Sequence, residues 1–189
     1  MQKAEGDRTK GQSGLAEVVA RYYFKLLAYK DEYEVARLYT DGEFQRRVRD
    51  QFEGDYKLKF HMAPPLFAKR DPETGELEKQ EFGPWMLTAF RVLAGLKFLR
   101  GTALDIFGYA AERKQERQLI ADYENTIDEL LSGLTSQNHE LAVAIASIPE
   151  HIRGYGHVKE QHFEKAKQEE AALLRAYRDP DGVQVKAAE

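Results

Sequence analysis

The residues that could carry chemistry in this chain are, first, its histidines. There are five of them: His61, His139, His151, His157 and His162. Metal sites on helices favour histidine pairs at i and i+4 or a His-Glu-x-x-His box, and His157 and His162 are five residues apart with no carboxylate in a recognisable ligand frame. The chain has no cysteine, which excludes thiolate zinc sites and iron–sulfur clusters ligated by this segment. The pattern therefore favours surface or interface histidines, and we predict no metal site.

A glycine-flanked basic loop is the second candidate. The sequence Gly154-Tyr155-Gly156 lies between helical patterns, with Arg153, His157 and Lys159 close by. A dinucleotide fingerprint needs a third glycine and a preceding strand, and both are missing here. A turn between two helices explains the glycines, while the basic residues could still contact an acidic partner or a phosphate. Arg153, Tyr155, His157 and Lys159 are therefore binding candidates.

The third candidate is the segment 29–40, YKDEYEVARLYT, which is dense in aromatic and charged residues. Tyrosine and arginine are enriched at the energetic centres of protein interfaces. An amphipathic helix whose tyrosines cover the edge of a core explains the same pattern. The binding candidates from this segment are Tyr29, Lys30, Glu34, Arg37 and Tyr39. His61, from the predicted strand that ends at Met62, is the last binding candidate.

No catalytic constellation is visible. The P-loop pattern is absent, and no serine lies in a nucleophile-elbow context. The many carboxylates show neither the proximity nor the shifted pKa that a general acid requires. We predict no catalytic residue.

Composition indicates a soluble globular protein with a charged surface. The chain has 189 residues, 42% of them hydrophobic and 32% charged, with a net charge of −4. The acidic balance argues against a nucleic-acid partner. The absence of a signal-like or membrane-spanning stretch and of cysteine leads us to expect no membrane association and a cytoplasmic location.

The elements that would position these residues are mainly helices. We expect residues 1–13 to be a linker or an added start, 14–178 to be a single helical domain, and 179–189 to be a frayed tail. Ser13 is an expected cap for a helix that follows it, and Asp31 with Glu34 resembles a capping box. Alternation from Tyr56 to Met62 predicts a strand, and a turn-rich run leads to a possible return strand ending near Phe82.

The most apolar stretch predicts a central helix over about 84–100, in which Met86, Phe90, Leu93 and Leu96 repeat at helical spacing. Because further apolar residues lie off that stripe, we expect the helix to be buried in a core most of the way round. A later seam has a 3-4 spacing that indicates antiparallel packing: Ile120, Tyr123, Ile127, Leu130 and Leu134. The expected fold is therefore mainly α, a helical bundle around this central helix with a small β-hairpin at about 56–82.

Several blocks together carry a family resemblance. They are YKDEYEVARLYT (29–40), FEGDYKLKFHMAPPL (52–66), FGPWM (82–86), RGTALDIFGYAAERK (100–114) and IRGYGHVKE (152–160). In this order they resemble the C-terminal helical region of the large single-chain indolepyruvate ferredoxin oxidoreductases of bacteria. The likeness runs from about residue 13 to 178 and covers one end of such an enzyme.

The resemblance implies a parent that decarboxylates an aryl 2-oxo acid oxidatively, using thiamine diphosphate with Mg, coenzyme A and [4Fe-4S] clusters that pass electrons to ferredoxin. Those cofactors would be bound by other domains, because the thiamine-binding Gly-Asp-Gly signature and every cluster cysteine are missing here. No cofactor is expected in this segment. Its expected partners are other domains or subunits of the parent, and ferredoxin and coenzyme A only through the parent.

The first hypothesis is a non-catalytic accessory domain that positions domains or subunits of this oxidoreductase. Its docking or substrate-entrance surface would comprise residues 29–40, the hairpin near 56–82 and the loop 151–159. The alternative is a stand-alone helical adaptor without a redox role. A third reading, an autonomous enzyme or small-ligand binder, would use Arg153, His157 and Lys159.

Overall fold

A computed structural model describes residues 1–63, 78–154 and 156–179. The described residues form eight α-helices and one two-stranded antiparallel sheet, which confirms the mainly helical fold with a small hairpin. The elements are α1 (Gln2–Arg8), α2 (Leu15–Leu27), α3 (Glu32–Thr40), α4 (Glu43–Gln51), β1 (Phe60–Met62), β2 (Gln80–Phe82), α5 (Met86–Gly95), α6 (Ala111–Gly133), α7 (His139–Ser147) and α8 (Gly156–Arg178). Short 3₁₀ helices follow α5 at Leu96–Leu99 and α7 at Ile148–His151.

The chain divides into two compact units, and each is described by itself. The first unit contains residues 1–29 and 115–189, and the second contains residues 30–114. The predicted single domain over 14–178 stays a prediction. Most of the predicted tail, residues 180–189, lies outside the described residues.

The core of the first unit is built from α2, α6, α7 and α8. The predicted seam accounts for much of it, since Tyr123, Ile127 and Leu130 on α6 and Leu134 just after it are buried, while Ile120 is partly buried. Two tyrosine hydroxyls in this core donate to backbone carbonyls, Tyr123 to Ala146 at 2.9 Å and Tyr177 to Leu130 at 2.7 Å. The hydroxyl groups of these two buried tyrosines are therefore hydrogen-bonded, as polar groups in a stable protein interior are expected to be.

Glu5 organises the beginning of this unit. Its carboxylate accepts hydrogen bonds from the backbone N–H groups of Leu15 (2.7 Å) and Ala16 (3.0 Å), and it lies 2.8 Å from Nε2 of His139. Glu5 is 2% exposed. It therefore performs the N-capping of α2 from α1, ten residues before the helix it caps.

Two expectations differ from this arrangement. Residues 2–8 form a helix with a buried carboxylate where we expected a linker. The N-cap position of α2 is Gly14 with φ at 122°, and no side chain at that position caps the helix, so the expectation for Ser13 is wrong. The physical reason is that a buried acceptor from another helix satisfies the N–H groups that a local hydroxyl would have served.

The second unit is built from α3, α4, α5 and the hairpin. The predicted cap at Asp31 is confirmed, because its carboxylate accepts a hydrogen bond from the backbone N–H of Glu34 at 2.8 Å. In the hairpin, Phe60 pairs with Phe82 and Met62 with Gln80. The predicted connecting turn falls in residues 64–77, outside the described residues.

The apolar helix of the second unit differs from its prediction. It runs from Met86 to Gly95, and only Met86 and Phe90 are buried on it. Trp85 and Val92 are 61% and 62% exposed. The fold class holds, but the helix buries one stripe instead of its whole circumference.

Candidate functional site

The second unit contains an apolar cavity of about 570 Å³. This volume falls within the ~300–1,000 Å³ typical of small-molecule pockets. The lining comes from the start of α3, the ends of the two strands, α5 and two residues further along the chain: Lys30, Asp31, Glu32, Val35, Met62, Ala63, Gln80, Phe82, Trp85, Met86, Ala89, Phe90, Leu93, Phe107 and Arg113.

Helix α5 supplies one wall through its repeat. Met86, Ala89, Phe90 and Leu93 follow one another at i, i+3, i+4 and i+7, which places them on one side of an α-helix. The sequence stripe that we assigned to a core therefore also lines a cavity. Ala89 is the small residue in this stripe, and its side chain leaves space where a larger one would fill it.

Aromatic pairs hold the rest of the wall in place. Phe90 stacks on Tyr39 with ring centroids 5.1 Å apart, and Phe107 meets Tyr33 edge to face at 5.4 Å. Phe82 and Trp85 form a third edge-to-face pair at 6.0 Å. Such pairs restrain ring orientation, so the apolar wall is formed in advance of any ligand.

Glu32 is the unusual polar group of this cavity. Its Oε2 atom is buried and accepts no hydrogen bond from the described residues, and the Nε atom of Arg113 lies 3.7 Å away. Burial raises the pKa of Glu32, while its own backbone N–H and the charge of Arg113 act against the rise. Buried polar atoms without a partner are rare in folded proteins, and one in a cavity wall is a candidate binding group.

The remaining charged groups of the lining have different surroundings. Asp31 forms an ion pair with Arg100 at 2.6 Å in addition to its capping bond. Arg113 lies 3.7 Å from Glu112 as well as from Glu32. Lys30 is exposed. Glu32 is thus the carboxylate of this lining whose hydrogen bonding is incomplete.

Three of the predicted binding residues of the second unit, Glu34, Arg37 and Tyr39, make contacts within the unit. Glu34 accepts a 2.7 Å hydrogen bond from Arg37 and pairs with Lys97 at 3.0 Å. The Arg37 hydrogen bonds, followed by those of Lys97, lower the pKa of Glu34 to about 2. Tyr39 packs in the core of the unit, and His61 is exposed on β1, 3.8 Å from Glu81. Lys30 is the one member of this set that lines the cavity.

In the first unit the candidates are Tyr29, Arg153, Tyr155, His157 and Lys159. Arg153 pairs with Glu150 at 2.7 Å, and Lys159 pairs with Glu116 at 2.7 Å. Tyr29 is half-buried. Tyr155 and the side chain of His157 lie outside the described part of the chain. The binding role of the whole set stays a prediction.

A further feature of the second unit is the loop 101–109, which falls within the block RGTALDIFGYAAERK (100–114) but contains none of the predicted binding residues. Asp105 is buried and accepts hydrogen bonds from the backbone N–H groups of Gly101 and Gly108, both at 2.9 Å. The hydroxyl of Tyr109 donates to the Ala103 carbonyl at 3.0 Å. Leu104 and Ile106 are nevertheless 69% and 59% exposed. The loop is internally braced and presents apolar side chains to solvent.

Among the described residues, no group of three or more His, Asp or Glu side chains is placed to hold a metal ion. Within the same residues, no helix has both the length and the apolar character needed to cross a membrane.

The fold and site define a mainly helical protein with a cavity in its second unit. A protein-family model described as a family of unknown function (DUF6537) matches residues 1–172, and the chain belongs to that family. Searches of curated proteins and of solved structures found no match.

Proposed function

We propose that this chain is a non-catalytic accessory domain of a thiamine-diphosphate-dependent indolepyruvate (aryl 2-oxo acid):ferredoxin oxidoreductase. Its role is to position domains or subunits of that enzyme in the cytoplasm. Two observations support the proposal. The resembling sequence blocks occur in the same order as in that family, and the chain has an exposed apolar surface suited to docking. Thiamine diphosphate, Mg and the [4Fe-4S] clusters belong to other parts of the parent.

The observation that carries the docking role is the braced loop 101–109. It lies within the resemblance block RGTALDIFGYAAERK, and its Leu104 and Ile106 project into solvent although Asp105 fixes the backbone beneath them. Exposed apolar side chains on an ordered backbone are suited to a partner surface, because little conformational entropy is lost on binding. Val92, Leu96 and Phe98 are further large apolar side chains of the second unit that are exposed to solvent.

Arg37 and Lys159 belong to the docking surface that the sequence analysis proposed. Both form internal ion pairs, with Glu34 and Glu116, so charge reversal there would disturb the fold as well as any docking. Leu104 and Ile106 provide a cleaner test.

We therefore expect Leu104→Asp combined with Ile106→Asp, introduced into the complete oxidoreductase, to weaken assembly at least about 30-fold. Two interface apolar groups lost at about 1 kcal/mol each give an effect of this size. Analytical ultracentrifugation and turnover with indolepyruvate measure it. Gln168→Asp is the control, because Gln168 is exposed and polar on α8, outside the segments assigned to docking, so that an added carboxylate there should leave assembly unchanged.

Unchanged assembly and turnover in the double variant would contradict the docking role. A partner that binds this loop but has no thiamine or cluster motifs would instead support the stand-alone adaptor.

A further inference from the structure

The cavity of the second unit carries an inference beyond domain positioning. Its walls are largely apolar and aromatic, its volume is about 570 Å³, and a carboxylate with incomplete hydrogen bonding forms part of its lining. A pocket with a few convergent polar groups on an apolar background is the usual form of a small-molecule site.

We propose that this cavity binds a small primary amine with an aromatic body, the ring lying among Phe82, Trp85 and Phe90 and the ammonium group held by Glu32. The proposal does not depend on the oxidoreductase assignment. It uses only the lining of the cavity and the charges around it.

The case for a cation begins at Glu32. Among the described residues, the guanidinium of Arg113 lies 3.7 Å from Oε2, which is beyond hydrogen-bond distance. Arg113 also lies 3.7 Å from the Glu112 carboxylate, so one guanidinium faces two carboxylates. An ammonium group would donate the hydrogen bond that Oε2 lacks among the described residues, and charge-assisted bonds are the stronger kind.

Access to the carboxylate requires a small adjustment. Oε2 itself is enclosed, while the Glu32 side chain as a whole is 18% exposed. Rotation about the terminal bond of glutamate is soft, so the carboxylate can turn toward a ligand donor without changing the backbone.

The aromatic walls favour the same ligand. Phe82 and Trp85 lie edge to face at the lining, and Phe90 and Phe107 add two further rings. Ring faces attract cations within about 6 Å, and they bury an apolar ring in the same space. An anion would have to rely on Lys30, which is exposed and therefore hydrated, or on Arg113, which already faces the carboxylates of Glu32 and Glu112.

The test uses two probes that share a phenyl ring and a four-carbon chain, 4-phenylbutylamine and 4-phenylbutyrate. Trp85 is the single tryptophan of the chain and lines the cavity, so its fluorescence reports occupancy directly. With the 189-residue chain, we expect saturable 1:1 binding of the amine with a Kd of about 1 mM or tighter. The acid should bind at least about tenfold more weakly.

Two variants assign the site. Glu32→Gln should weaken amine binding at least about tenfold and remove the preference over the acid. Glu43→Gln is the matched control, because Glu43 is the first residue of α4 as Glu32 is of α3, and it does not line the cavity. Ala89→Leu keeps the carboxylate but fills part of the cavity, and it should weaken binding of the amine while circular dichroism stays unchanged.

Three outcomes would overturn the proposal. They are tighter binding of the acid than of the amine, full retention of amine affinity in Glu32→Gln, and no saturable binding of the amine. If Glu32→Gln fails to fold, wild-type amine affinity in a folded Ala89→Leu variant would equally reject the site. None of these results bears on the oxidoreductase assignment, which is tested at the loop 101–109.

Discussion

Replacing Phe90 by alanine is expected to lower the free energy of unfolding of the second unit by about 3–5 kcal/mol. Phe90 is 6% exposed, stacks on Tyr39 at 5.1 Å and meets Phe60 edge to face at 5.6 Å. Its removal leaves a void that two aromatic neighbours cannot fill without losing their own contacts. Chemical denaturation followed by the fluorescence of Trp85, which lies in this unit, measures the change.

Val92→Ala is the control for this prediction. Val92 is on the same helix and is 62% exposed, so its truncation should change stability by less than about 1 kcal/mol. Equal effects of the two substitutions would show that the buried stripe of α5 is assigned to the wrong side.

The first unit has an equally sensitive position at Glu5. Glu5→Ala is expected to cost about 2–4 kcal/mol, because it leaves two backbone N–H groups and the ring of His139 without their acceptor. Hydrogen exchange of the amides in α2 and α7 measures the loss locally. Glu17→Ala is the control, since the Glu17 side chain is 75% exposed and pairs only with the exposed Arg21 among the described residues.

The Glu5 carboxylate also makes the stability of the first unit depend on pH. Burial raises the pKa of Glu5, but the hydrogen bond with His139 and those from Ala16 and Leu15 outweigh it, so the folded pKa lies below the ordinary 4.5. The stability that Glu5 contributes is therefore present above about pH 4.5 and is lost as the pH falls through the folded value. The advantage of wild type over Glu5→Gln should shrink below pH 4.5. A constant difference between pH 7 and pH 3 would contradict this assignment.

Sequence periodicity predicted the mainly helical fold with a small hairpin, although α1 was missed and α5 is shorter than predicted. Four of the five predicted seam residues, from Tyr123 to Leu134, are buried and Ile120 is partly buried, since a 3-4 repeat directly records which side of a helix faces the core. Asp31 was recognised as a cap because its acceptor and the N–H it serves are three residues apart. Local chemistry is readable when both partners are close in the sequence.

The unpredicted features depend on distant partners. Glu5 and His139 are 134 residues apart, so nothing near Glu5 indicated that its carboxylate would be buried. The cavity is likewise a property of the space between elements, and residues such as Glu32 and Arg113 become neighbours only after folding. Within the segment 29–40 the predicted candidates included Lys30 but not Glu32, and its composition could not tell core tyrosines from exposed ones.

Helix α5 also shows how far burial can be predicted from a sequence pattern. Met86, Phe90 and Leu93 lie on one helix face as predicted, but Leu96, the fourth member of the predicted stripe, falls in the following 3₁₀ helix and is 37% exposed. The apolar residues off that face suggested full burial. Val92 and Trp85 are instead exposed, and composition alone cannot distinguish a helix enclosed by its own chain from one that awaits a partner.

The central claim, that this chain docks onto and supports a catalytic body, is tested most directly by titrating it into the thiamine-diphosphate-binding part of the same oxidoreductase. Isothermal titration calorimetry should give a 1:1 complex with a Kd of about 1 µM or tighter, and the Leu104→Asp, Ile106→Asp chain should bind at least about 30-fold more weakly. No detectable complex at about 100 µM, or equal binding by the variant, would contradict the account.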